Sequence, residues 1–116
     1  MKKTLTVLIV AGALLGAAGC SPAPQETTAE TCARIQTVGA GPTSQEDKAG
    51  MVRLANRLRP IEAAAPEELQ APLLSIIEFL DESAKETPDS AKLEGMRGSY
   101  TAAGQTLTEL CGAGGQ

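Results

Sequence analysis

The sequence predicts an all-α fold, a small up-down-up-down four-helix bundle, and three observations lead there. Apolar residues recur at helical spacing through two long stretches, roughly 66–86 and 88–111. Helix start and stop signals divide residues 28–112 into four segments joined by short turns, the layout of neighbouring antiparallel helices. No internal repeat and no strand pattern competes with that reading.

The first helix is expected at about 28–38. Thr27-Thr28-Ala29-Glu30 has the hydroxyl-then-Glu spacing of a capping box, and Gly39 stops the helix. Cys32, Ile35 and Val38 fall on one side, so the cysteine lies on the buried edge. Thr43-Ser44-Gln45-Glu46 reads as a second capping box. It opens a helix that runs to about 59 or on to 64, with Pro60 either kinking or ending it. Met51, Val52, Ala55, Leu58 and Ile61 form its apolar face.

Pro66 suits a first helical position, and Glu67 and Glu68 follow where the helix dipole favours acids, so a third helix is expected over 66–86. Its stripe of Leu69, Leu73, Ile76, Ile77, Leu80 and Ala84 is the strongest in the chain, and it continues in register through Pro72, which predicts a bend rather than an end. Thr87-Pro88-Asp89 opens the fourth helix, with Thr87 as cap, and Gly112 ends it after Cys111. Leu93, Met96, Tyr100, Ala103, Leu107 and Leu110 alternate at three and four, a bundle seam. Gly95, Gly98 and Gly104 each weaken that helix by up to about 1 kcal/mol relative to alanine, so packing must sustain it, for instance by a neighbour lying close over the glycines. Residues 113–116 are expected to be a disordered tail.

Ahead of the bundle, Lys2 and Lys3 precede an uncharged run from Thr4 to Ala18 and then Gly19-Cys20. A cationic start, an apolar middle of about 15 residues and a small-residue end make a secretory signal, too short to span a bilayer permanently. Ala17-Ala18-Gly19-Cys20 resembles the lipobox of bacterial lipoproteins. The resemblance covers residues 1–20 and implies that 1–19 are removed, that Cys20 carries a diacylglyceryl anchor, and that the mature protein is extracytoplasmic and held to the membrane. Ser-Pro-Ala-Pro-Gln-Glu at 21–26 reads as an extended tether, giving a lipidated cysteine and tether over 20–27. With Cys20 a thioether, Cys32 and Cys111 remain as a pair in an oxidising compartment, and up-down topology brings their two segments to one end. A disulfide there closes a loop of about 80 residues, for which chain entropy gives roughly 4–5 kcal/mol.

Removing the signal takes Lys2 and Lys3, leaving 8 basic against 14 acidic residues, a net charge of −6. With one Tyr, one Phe and no Trp, the domain lacks the basic footprint and stacking surfaces of a nucleic-acid binder. No histidine is present to activate a nucleophile or to ligate a metal, so an enzyme is not expected, and neither is a cofactor or metal. Glu78, Glu82 and Glu86 recur on one helix face and are read as solvated, with Asp81 and Lys85 paired beside them. Arg53, Arg57 and Arg59 are likewise read as a solvated face rather than a docking patch.

Two functions remain. One is a tethered, monomeric interaction module for another envelope protein; the other is a tethered carrier of a small apolar or lipidic ligand, which needs an enclosed apolar cavity. Geometry locates the candidate surface. The tether holds the disulfide end near the bilayer, so the connections 39–44 and 85–89 face outward. The short first helix leaves the distal end of the bundle uncovered unless the connection 39–44 folds over it. Thr43, Ser44, Met51, Phe79, Asp89 and Met96 are the candidate partner surface there, with Phe79 off the main stripe.

Overall fold

The computed structural model describes residues 25–112. The expected signal at 1–19, Cys20, most of the tether and the tail 113–116 lie outside the described residues. Within them the chain is an up-down-up-down bundle of four helices, α1 (Thr28–Gln36), α2 (Lys48–Ala64), α3 (Glu67–Ser83) and α4 (Ser90–Leu107), and α4 widens into a π-helical turn, Thr108–Gly112.

Helix α1 starts as its sequence dictates. The Thr27 hydroxyl accepts from the Glu30 N–H, and the Thr27 N–H donates to the Glu30 carboxylate, each at 3.1 Å. The fold begins slightly earlier than expected, because Glu26 is not free tether. Its N–H donates to the Ala64 carbonyl at 2.8 Å and its carboxylate meets Arg34 at 2.7 Å. Gly39, at φ +82°, takes the left-handed conformation that turns the chain away after α1.

Pro66 precedes α3 as its cap rather than opening it, and two other helix starts have a different capping residue from the one expected. Asp47 rather than Thr43 caps α2, and Asp89 rather than Thr87 caps α4. In each case the helix starts later than that hydroxyl, at a carboxylate, and an ionised acceptor makes a stronger hydrogen bond to a backbone N–H than a hydroxyl does. Asp47 accepts from the Gly50 N–H at 2.9 Å and from the Thr43 N–H at 3.0 Å, bonds that lower its pKa. Gly50 is suited to the site because a Cβ there would run into the Asp47 carboxylate.

Neither internal proline ends a helix: α2 continues through Pro60 to Ala64, and α3 runs through Pro72. The carbonyls that lose a donor belong to Asn56 and Glu68, both exposed residues, so water can satisfy them. On the inner side Leu58 and Ile61 stay buried in register.

Helix α3 is the spine, packed on α2 along one flank and on α4 along the other, while α1 packs on α2 and the π turn. Leu69 and Leu73 are fully buried, with Ile77 and Leu80 behind them and Ala55, Leu58 and Ile61 opposite. Val52 is an exception to the expected α2 face, at 45% exposed. The α4 seam is buried only at Ala103; Leu93, Met96, Leu107 and Leu110 are half-buried, and Tyr100 is 37% exposed. A Cβ built at Gly95, Gly98 or Gly104 meets nothing within 4 Å, so the neighbour expected over these glycines is not found among the described residues.

A disulfide joins Cys32 to Cys111 with a Cα–Cα distance of 5.3 Å, bridging α1 and the π turn. The same end is fastened by Glu26 to Ala64 and by Thr28 to Glu68. At the opposite, distal end the Lys48 ammonium donates to the carbonyls of Lys85 and Glu86 just past α3. No described helix is long and apolar enough to cross a membrane.

Candidate partner-binding groove

The distal end is open because α1 is short. Its nine residues span about 14 Å, whereas the 17 residues of α3 span about 26 Å. The connection after α1 runs back along α2, held where Arg57 donates to the Val38 carbonyl at 2.7 Å and where Gly41 lies against Leu54. It covers α2 but does not close against α4. Between them lies a groove open to solvent, with a larger lobe of about 470 Å³ and a smaller one of about 240 Å³.

Pro42, Thr43, Ser44 and Gln45 form one lip, and Arg97, Tyr100 and Thr101 of α4 form the other. Met51, Phe79 and Ser83 line both lobes, and the smaller lobe extends to Pro88 and Leu93. The Phe79 and Tyr100 rings stack with centroids 4.3 Å apart and an interplanar angle of 26°, which joins α3 to α4. Phe79 is therefore half-buried by Tyr100 rather than fully exposed.

Four of the six residues expected at this surface come together here: Thr43, Ser44, Met51 and Phe79. The other two do not line the groove. Asp89 caps α4 and donates its own N–H to Glu82 at 3.2 Å. Met96 lines a separate cleft of about 410 Å³ with Glu78, Asp81 and Lys92, on the other flank of the α3–α4 seam. Arg97 and Thr101 were not expected in the groove, and Tyr100, a candidate pocket residue with Met51, Phe79 and Met96, was expected by default as core of the α4 seam. The i, i+3, i+4 spacing of Arg97, Tyr100 and Thr101 is the signal that places them on one side of α4, but only the position of Phe79 shows which side it is.

The charged rows also resolve differently from expectation. Glu82 is not solvated: its side chain is 4% exposed and takes Lys85 at 2.5 Å, Lys92 at 3.3 Å and the Asp89 N–H. These partners, Lys85 foremost, hold its pKa down to about 2. Lys85 therefore pairs with Glu82 rather than with Asp81, and Asp81 instead meets Arg59 at 2.5 Å across α2 and α3. The arginine row of α2 is divided too, with Arg57 fixing the α1–α2 connection and Arg59 fixing α3. Among the described residues no group of three or more His, Cys, Asp or Glu side chains is placed to hold a metal ion. No protein-family model, curated protein or solved structure matches this chain.

Proposed function

We propose that this protein is a membrane-anchored extracytoplasmic lipoprotein, held by a lipid on Cys20, whose helical domain is an interaction module for another protein of the cell envelope. The observation that carries the reading is the distal groove, an open, mixed polar and apolar surface at the end of the bundle opposite Glu26. Six steps of chain from Cys20 to Glu26 reach about 20 Å at most, so a lipid on Cys20 keeps the disulfide end near the bilayer and turns the groove outward. A carrier of a free apolar ligand needs an enclosed cavity, and both lobes of this groove are open to solvent, which favours the interaction module.

Two measurements test the proposal. Cys20→Ala should move the protein from the membrane to the soluble fraction, and the native amino-terminal peptide should carry a diacylglyceryl mass on Cys20; an unmodified Cys20 in membrane-extracted protein would refute the anchor. A photocrosslinker at Thr43, on the groove lip, should capture a discrete partner in intact cells, while one at Glu67, at the disulfide end, should not. Capture at Glu67 alone would reverse the orientation.

A further inference from the structure

We infer that the groove takes an extended segment of the partner polypeptide in which an apolar side chain stands next to a carboxylate. The inference rests on the proposed interaction function and adds the chemistry of what is bound.

Charge is the first ground. The chain has 14 acidic and 10 basic residues, yet among the described residues the only charged side chain lining either lobe of the groove is Arg97. It lines both lobes and so stands at their junction. Its neighbour along the helix, Glu94, lies 3.3 Å away, with the two side chains 64% and 74% exposed, a pair that water and salt weaken and that an incoming anion can displace. A guanidinium offers a carboxylate two parallel hydrogen bonds, so an acidic side chain is the group best matched to this position.

The floor is the second ground. Met51 and Leu80, both buried in the core, reach the floor with thioether and aliphatic edges, Phe79 is half-buried beside them, and Tyr100 is partly exposed above. The two rings stack on each other, so each has one face already occupied, and a flat sugar platform is not what they offer. A flexible methionine beside two rings suits an inserted aliphatic or aromatic side chain. Length agrees. From Thr101 to Leu93 is eight residues of α4, about 12 Å, the span of about four extended residues. Ser44 and Gln45 on one lip and Thr101 on the other supply side-chain donors and acceptors for the backbone of such a segment.

The test uses the full chain, purified from membranes in detergent, and fluorescence anisotropy with an end-capped, labelled tetrapeptide Ala-Phe-Glu-Ala. Its glutamine isostere should bind roughly tenfold more weakly, and the counterpart with alanine for phenylalanine weaker still. Arg97→Gln, at an exposed position that leaves the core untouched, should abolish the preference for glutamate over glutamine, and Arg97→Lys should restore part of it. Tyr100→Ala should weaken both aromatic peptides alike. Equal affinity for the glutamate and glutamine peptides overturns the inference, as does tighter binding of a β-linked N-acetylhexosamine tetrasaccharide that competes for the groove. Capture of a partner at Thr43 in cells without peptide discrimination removes this inference and leaves the interaction function. Peptide discrimination without capture at Thr43 removes the interaction function and leaves the groove chemistry.

Discussion

Glu82 of α3 and Lys92 of α4 meet at 3.3 Å across the turn between their helices, with Lys85 at 2.5 Å on the same carboxylate oxygen. Together with the Asp89 N–H on the other oxygen, this buried carboxylate ties the start of α4 to the end of α3, and the Phe79–Tyr100 stack joins the two helices further along. Arg97 and Tyr100 line the groove from the same helix.

The pH dependence of stability follows from that carboxylate. Glu82 has its pKa lowered from 4.5 to about 2 in the fold, so the native state binds fewer protons than the unfolded chain between those values. Its contribution is therefore complete above about pH 4.5 and is lost as pH falls towards 2. Glu82→Gln should lower the denaturation midpoint at neutral pH and flatten the stability profile across that window. A variant whose acid limb matches the native protein's would show that another carboxylate governs it.

The disulfide should be a main support of α1, whose nine residues otherwise pack mainly on α2 and the π turn and reach α3 through Thr28 and Glu68. Replacing Cys32 and Cys111 together by serine should cost roughly 4–5 kcal/mol of unfolding free energy by the chain-entropy argument. Denaturant titration with and without reductant measures this. Alkylation of the native protein without reduction should label neither Cys32 nor Cys111.

Alanine at Gly95, Gly98 or Gly104 should stabilise the isolated domain, because each Cβ would enter open space on a helix. Each gain should approach about 1 kcal/mol, read from the denaturant midpoint. Loss of stability in any of the three would show that a surface covers α4 in solution.

Leu73→Ala and Val52→Ala separate core from surface among residues that look alike in sequence. Leu73 is fully buried and its truncation should cost about 2–5 kcal/mol. Val52 is 45% exposed, and its truncation should change stability by no more than about 0.5 kcal/mol. Thermal or urea unfolding of the two variants decides it.

Much of the fold was legible because it is carried by local pattern. The 3-and-4 spacing of Leu69, Leu73, Ile77 and Leu80 identifies a buried helix face wherever the helix lies, and the Thr27–Glu30 box and Gly39 act within a few residues of themselves. The disulfide was legible on other grounds, since setting Cys20 aside leaves one pair and up-down connectivity brings the two segments of that pair to one end. What the sequence by itself did not determine was decided by where each helix begins and by relative rotation of helices. Asp47 and Asp89, rather than Thr43 and Thr87, cap their helices because each helix starts later than its first hydroxyl, where the carboxylate accepts from the N–H three residues on, Gly50 and Lys92. Glu82 was indistinguishable from Glu78 and Glu86 along the helix until α4 folded back and brought Lys92 and the Asp89 N–H to it. The groove belongs to the same class. Met51, Phe79, Tyr100 and Arg97 lie on three helices, and only the packing of α2 and α4 on opposite flanks of α3, with a first helix too short to cover the distal end, brings them to one surface.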